Sequence, residues 1–444
     1  MSVSAVRIKS LVEALMFATL ILGALELAGW GYNRYARAVA YGDMGQEKIQ
    51  LLAQLPNAQI EDFKFDPEIV VGAISRELHP YFGYVTGQDT PGINNQGFRS
   101  DVDYPYRSAP GEFVVGVFGG SVAMQLAGDE ASRERLEAGL LEMLAGRGIE
   151  RVTVLSLANG GWRQPQTFNT FVYFVDLLDA AIILDGFNEI TPLYRPHANH
   201  WPTRFPWKKV FSQFSQPNTT PAQLMLLGEL TQLSHAAKSW TRLFQQPVLK
   251  NSAMAHAIWN GRASRYSQRI HEIRKALGNN DEVETGFARL APQDEVEAKQ
   301  QIDDYYALYA RLSRWQGLIA KDRGVSLFHF IQPNQYVRDS KSFSDEELKR
   351  FVTRSAVWTD HVTESYEALD RVLAELEQAG ITTQNLKNVF RPHSETVYSD
   401  DCCHLRRVGL VAVADAMLVR IAESGALTDE TIARSPKIAS RGHQ

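Results

Sequence analysis

The sequence is poor in cysteine and carries no excess of positive charge. Of its 444 residues only Cys402 and Cys403 are cysteines, and they are adjacent. Adjacent cysteines rarely pair because the bond strains the peptide between them, so a disulfide framework is excluded and the redox compartment is left open. The formal net charge of −5 gives no reason to expect a nucleic acid as partner. An internal repeat is also lacking.

The first long apolar segment lies at the N-terminus. Residues 10–30 read SLVEALMFATLILGALELAGW, a mainly apolar stretch about as long as a bilayer is thick. We predict that residues 1–31 form an uncleaved anchor in the inner (cytoplasmic) membrane, crossing it once, with the rest of the chain on the exported side. Basic residues flank both ends, so charge bias does not set the orientation. A cleavable signal peptide, for which no small-x-small site follows, and a buried soluble helix are the alternatives.

The chain as a whole has the composition of a globular protein, with 44% hydrophobic and 22% charged residues. Residues 32–112 are predicted to form a stalk and an irregular pre-domain, because turn-forming residues are frequent in their second half. From residue 113, short apolar runs alternate with amphipathic helices. This alternation predicts a parallel sheet with helices on both faces, in a domain spanning 113–434.

Four apolar runs are predicted to be the strands of that sheet, namely 113–118, 152–158, 181–184 and 325–331. Between the third and the fourth the strand signal disappears, and residues 191–323 are predicted to be a mostly helical insertion that could cover a site as a lid. The polar tail 435–444 is predicted to be disordered.

The first candidate site residue follows the first strand. Gly119 and Gly120 allow a sharp turn there, and Ser121 stands at the sheet edge near the start of a helix. Ligands of open α/β sheets bind beyond the carboxyl ends of strands, and amides at a helix start suit developing negative charge. By itself, however, Gly-Gly-Ser is also an ordinary loop.

Two further turns leave the next strands. The backbone amide of Ala158 and the side-chain amide of Asn188 are placed where they can donate hydrogen bonds to an oxyanion, together with the amide of Ser121. The alternative is a pair of ordinary strand–helix turns, with Asn188 as a helix N-cap.

The last candidate pair lies just before the final helix. Asp401 and His404 are three residues apart, so a turn of near-helical pitch puts the carboxylate and the imidazole on the same side. The carboxylate can then orient the ring and stabilise its protonated form. Taken alone, however, an Asp-x-x-His is more typical of two polar residues on the protein surface.

Taken together, these segments resemble the sequence blocks of the SGNH/GDSL hydrolase superfamily, in the same order along the chain. The resemblance spans about 113–190 and 325–423, interrupted by the insertion. Two positions depart from the family pattern: the first block reads GGSV instead of GDSL, and Ala158 stands where glycine is usual. Gly-Gly-Ser variants of the first block are common among membrane-anchored bacterial relatives, and the stretches GGWRQPQ and DGFNE are similar to one bacterial subgroup.

The resemblance implies a flavodoxin-like three-layer α/β fold and a serine-hydrolase mechanism without metal or cofactor. Ser121 would be the nucleophile, His404 the base and Asp401 its orienting acid, while Ser121, Ala158 and Asn188 would bind the oxyanion. The function expected is that of a membrane-anchored esterase that removes acyl groups, such as acetyl, from a glycan or lipid. An O-acyltransferase using the same site and a catalytically silent scaffold in envelope assembly are the alternatives.

Other candidates have weaker patterns. His197 and His200 are spaced as metal ligands but lack a suitable third residue nearby. His393 is an alternative base without an acid at the matching offset. The two cysteines are interpreted as packing residues, and residues 332–335 follow a strand and are candidates for lining the pocket.

Overall fold

We describe a computed structural model of the chain, in which the residues described are 3–37, 44, 48, 76–88, 90–194, 201–207, 221–278 and 288–427. The predicted tail 435–444 lies outside them, as does most of the predicted stalk. The chain divides into two compact units, Met1–Ile60 with Pro217–Val283 and Glu61–Gln216 with Glu284–Gln444.

The helices are numbered in chain order. They are α1 Val3–Gly31, α2 Ser121–Gly128, α3 Glu130–Met143, α4 Gln166–Phe174, α5 Phe187–Ile190, α6 Pro221–Leu243, α7 Pro247–Lys250, α8 Ala253–Gly278, α9 Glu295–Asp322, α10 Asp345–Arg350, α11 Ala356–Gln378 and α12 Arg407–Ser424. The strands are β1 Arg76–His79, β2 Gly83–Thr86, β3 Glu112–Gly119, β4 Arg151–Ala158, β5 Ala180–Asp185, β6 Ser326–Ile331 and β7 Thr382–Asn385.

The described residues of the first unit form the helices α1 and α6 to α8. The carboxylate of Glu26 on α1 accepts hydrogen bonds from the amides of Ala253 and Met254, at the start of α8. Unpaired amides at a helix start favour such an acid. A Cβ on Gly29 would lie 2.4 Å from the Met254 backbone, so α1 and α8 approach closely there. Among the described residues, no helix combines the length and the apolarity needed to cross a membrane.

The second unit is built on a parallel five-stranded sheet in the order β4-β3-β5-β6-β7. Side chains of β3 and β5 alternate between two hydrophobic clusters: Val115 and Ile182 lie in one, Val114 and Ile183 in the other. Because successive residues of a strand point to opposite faces, both faces of the sheet are covered. The predicted α/β class with a parallel sheet flanked by helices is confirmed.

The predicted strands agree with the observed ones to within two residues at each end, but two features were not foreseen. The polar segment Thr382–Asn385 forms the edge strand β7. An edge strand can be polar because it has a neighbouring strand on one side only. The predicted insertion 191–323 is also divided. Its helices α6 to α8 belong to the first unit, whereas α9 packs in the second against α11 and β6.

Candidate active site

Ser121 is positioned by the sharp turn at the end of β3. Gly119 has φ +136°, and a Cβ there would lie 2.2 Å from the carbonyl oxygen of Leu184 on the neighbouring strand. Only glycine fits this close approach. Gly120 caps α2, which makes Ser121 its first residue. The Ser121 amide therefore has no partner within its own helix and is directed outward from its start.

The Ser121 hydroxyl meets the ring of His404, which lies 283 residues further along the chain. His404 Nε2 is 2.8 Å from Ser121 Oγ, and His404 Nδ1 is 2.5 Å from Oδ2 of Asp400. Ser121 and His404 are buried, with 7% and 4% of their surfaces exposed. Hydroxyl, imidazole and carboxylate thus form a continuous hydrogen-bonded chain, as in serine hydrolases.

The acid of this chain is Asp400, which corrects the prediction of Asp401. Asp401 lies in an ion pair with Arg354, 3.7 Å away, and its side chain is 53% exposed. The Asp-x-x-His pattern favoured Asp401 on the assumption of helical pitch. The loop is not helical, however, and it directs the side chain of the preceding residue to the ring.

Asp400 is held ionised by its surroundings. Burial alone would raise its pKa. The hydrogen bond and charge of His404, with the amides of Cys402 and Cys403, outweigh burial and lower the pKa to about 2. The Oδ1 atom accepts those two amides at 2.9 and 3.1 Å. A carboxylate so fixed can orient the ring and stabilise its protonated form.

The loop bearing Asp400 is held by the segment that follows β6, a role the sequence did not reveal. Three of its side chains donate to loop carbonyls: Asn334 Nδ2 to Cys402 at 3.1 Å, Gln335 Nε2 to Asp400 at 2.9 Å, and Tyr336 Oη to Asp401 at 3.0 Å. Residues 332–335 were predicted to line a pocket. Asn334 and Gln335 hold the loop that bears Asp400 and His404, and a cluster of amide side chains after a strand was the available signal.

Asn188 lies directly beside the serine turn. Its Nδ2 donates to the carbonyl oxygen of Trp162 at 2.8 Å, and a Cβ on Gly120 would lie 2.0 Å from the same nitrogen. An amide nitrogen carries two hydrogens, so one remains to be donated. The predicted proximity of Asn188 to Ser121 is therefore present.

The structure does not direct the Ala158 amide toward Ser121, which corrects a second prediction. The next residue, Asn159, donates its N–H to the carbonyl oxygen of Gly119 on β3 at 3.2 Å. Successive amides of a strand face opposite sides, so that of Ala158 faces away from β3. Since β4 is an edge strand, this side is the open edge of the sheet.

Another amide of the same turn is better placed. The amides of Gly160 and Trp162 donate to Asn159, at 3.0 and 3.2 Å. Between them, the amide of Gly161 donates to no other group in the part of the chain that the structure describes. The turn borders the serine, because the Trp162 carbonyl oxygen would lie 3.2 Å from a Cβ on Gly120. Gly161 is therefore the candidate backbone donor, which the sequence pattern did not reveal.

A buried arginine connects the two turns. Arg163 is fully buried; its guanidinium lies 3.9 Å from the ring centre of Tyr305 and donates to the carbonyl oxygens of Glu189 and Thr203, at 3.3 and 2.8 Å. Because Glu189 follows Asn188, these contacts fix Asn188 relative to the turn that precedes Arg163.

A buried carboxyl lies under the site at the end of β5. Burial, followed by repulsion from Glu189, raises the pKa of Asp185 well above its ordinary value. Its Oδ2 is 3.5 Å from both Gln164 Nε2 and Tyr309 Oη. The Tyr309 hydroxyl lies 2.8 Å from His329 Nε2, and burial lowers the pKa of His329 to about 3. Burial therefore favours the neutral forms of both His329 and Asp185.

Asp185→Asn is expected to flatten the pH dependence of stability. In the unfolded chain Asp185 ionises near its ordinary pKa of 3.8, whereas burial raises this pKa in the folded protein, which therefore holds the proton to higher pH. Unfolding is therefore favoured as pH rises, by up to about 1.4 kcal/mol per pH unit. Urea unfolding between about pH 5 and about pH 8 should show a smaller loss of stability for the variant than for the wild type. Identical losses would mean that Asp185 is ionised in the folded protein.

The remaining candidates lie elsewhere. His393 pairs through Nδ1 with Glu395 Oε1 at 2.8 Å and is not hydrogen-bonded to Ser121. His197 and His200 lie outside the described residues.

No protein-family model matches the chain, and no curated protein matches its sequence.

Proposed function

We propose that the protein is a serine ester hydrolase that uses Ser121, His404 and Asp400. The observation that supports this most directly is the pair of hydrogen bonds at His404, 2.8 Å to Ser121 Oγ and 2.5 Å to Asp400 Oδ2. Such a hydrogen-bonded triad is identified by its geometry and by the roles of its three residues, not by their positions in the sequence.

In the proposed reaction, Ser121 Oγ attacks the carbonyl carbon of an acyl ester while His404 Nε2 takes its proton. The tetrahedral oxyanion accepts hydrogen bonds from the amides of Ser121 and Gly161 and from Asn188 Nδ2. His404 then returns the proton to the leaving alcohol. A water molecule, deprotonated by His404, next attacks the acyl group on Ser121 and releases the acid, and the proton returns to Ser121 Oγ. Asp400 stays ionised throughout and holds the ring.

The topology supports the resemblance to the SGNH/GDSL superfamily. Numbered by chain order within the five-stranded sheet, the strands lie in the order 2-1-3-4-5, which is that of flavodoxin-like sheets. Ser121 follows the strand at which the order reverses, where ligands of such sheets bind. The proposal therefore extends to the flavodoxin-like three-layer fold.

The proposed substrates are acyl esters, such as acetyl groups, on a glycan or lipid at a membrane surface. The support for the membrane comes from α1, where Phe17, Leu20 and Leu22 are 67%, 69% and 66% exposed. Large apolar side chains exposed together mark a surface that contacts a partner or lipid. The proposed location is the inner (cytoplasmic) membrane, with the catalytic unit on the exported side.

Labelling with a fluorophosphonate tests catalysis without knowledge of the substrate. The wild type is expected to be labelled at Ser121, and Ser121→Ala to lose the label entirely, because the reagent needs an activated serine. Equal labelling of both proteins, or none of the wild type, would favour a catalytically silent scaffold. Product analysis with and without a sugar acceptor then determines whether water or a hydroxyl receives the acyl group.

A further inference from the structure

The loop bearing the candidate base also carries the only two thiols of the sequence. Cys402 is half-buried, whereas Cys403 and His404 are buried. The two Sγ atoms are 2.8 Å apart, and a ligand atom from each of the three residues lies within 4.8 Å of the others. Two sulfurs and one imidazole are the donors that zinc-like ions prefer.

We propose that Cys402, Cys403 and His404 form a binding site for a thiophilic divalent cation such as Zn²⁺, whose occupation switches the Ser121 site off. Bond lengths of about 2.3 Å to sulfur and about 2.0 Å to nitrogen place tetrahedral ligand atoms about 3.5–3.8 Å apart. The sulfurs need to separate by about 1 Å, and the fourth position is open to water.

The charge of the loop favours a cation. The side-chain carboxyl group of Asp400 accepts hydrogen bonds from the backbone amides of both cysteines, so an acidic group lies next to the two thiols. On binding, each thiol releases one proton to solvent and becomes a thiolate ligand. The cation offsets the negative charge that disfavours the thiolates.

Occupation of the site is incompatible with the hydrogen-bonded chain at His404. Each ring nitrogen already has a partner, Ser121 Oγ for Nε2 and Asp400 Oδ2 for Nδ1. The ring nitrogen that binds the cation must lose its present hydrogen-bond partner. The base is then separated either from its nucleophile or from its acid. Only this consequence, and not the binding itself, depends on the proposed function.

Binding is tested by titrating the full chain, without reductant, with Cd²⁺ and following the thiolate-to-cadmium absorption band. One ion per chain is expected. Cys402→Ser and His404→Gln should each weaken binding at least about 10-fold, because even the loss of residues that only support metal ligands costs that much. Asp401→Asn is the matched control, since its exposed side chain belongs to the same loop but not to the cluster, and its affinity should stay close to that of the wild type.

The outcomes separate this inference from the proposed function. Weakening by Cys402→Ser but not by His404→Gln would overturn the three-ligand site, as would equal affinity in all four proteins. Fluorophosphonate labelling with Zn²⁺ added, and then with chelator, tests the switch: labelling should be lost and then recovered. A protein that binds Cd²⁺ as expected but is never labelled would retain the cation site and refute the hydrolase. A protein that is labelled but binds no Cd²⁺ would retain the hydrolase and refute the cation site.

Discussion

Asp400→Asn is expected to slow the reaction at Ser121 by about 10⁴-fold, the loss known when the acid of such a chain becomes an amide. An amide at this position cannot stabilise the protonated ring and favours the wrong tautomer. The rate of fluorophosphonate labelling measures the effect, and so does kcat once an ester substrate is known. Folding is checked by thermal unfolding of the same sample.

Asp401→Asn is the matched control, because it is the same substitution one residue away. The substitution removes the partly exposed ion pair between Asp401 and Arg354. Such pairs contribute at most about 1 kcal/mol to stability. We therefore expect a rate within about fivefold of the wild type. If Asp401→Asn proved the more damaging of the two substitutions, the assignment of Asp400 would be refuted.

Gly120→Ala is expected to slow the reaction by about 10²–10³-fold, the usual effect of removing one oxyanion donor. Gly120 has φ −87°, so alanine fits the backbone conformation. The added Cβ would instead lie 2.0 Å from Asn188 Nδ2 and displace that side chain. The labelling rate is the measurement again, with KM compared with kcat once a substrate is known.

Two further variants show whether Gly120→Ala acts through Asn188. Gly160→Ala is the matched control, because a Cβ there meets nothing within 4 Å, and its rate should stay near that of the wild type. Asn188→Ala combined with Gly120→Ala should be no slower than Asn188→Ala alone, since the donor can be lost only once. Fully additive losses would show that Gly120→Ala damages the site by another route.

The buried strands are the part of the fold that could be predicted from the sequence. Residues 113–118 and 181–184 are continuous apolar runs because both faces of the sheet are covered, and that pattern is local. Thr382–Asn385 lacks such a run because it lies at an edge, so the sequence did not identify it as a strand. The division of the helical insertion between two units depends on contacts between distant segments, for which no local pattern exists.

The site was predictable to the level of its loops. Gly119 and Gly120 before Ser121, and a histidine near the C-terminus, are local patterns that required only the rule that ligands lie at the carboxyl ends of strands. The prediction of Ala158 as a backbone donor was wrong because the direction of an amide depends on which side of β4 is hydrogen-bonded. That direction is a property of the sheet and not of the turn.

By itself, then, the sequence determined the α/β class, the serine after the first strand of the sheet, and the histidine that reaches it, since apolar periodicity and turn chemistry act over a few residues. Only the tertiary structure decided between Asp400 and Asp401. Both acids are close enough to His404 along the chain. The selection was made by Asn334, Gln335 and Tyr336, whose hydrogen bonds to the loop carbonyls fix the backbone so that one carboxylate faces the ring and the other faces solvent.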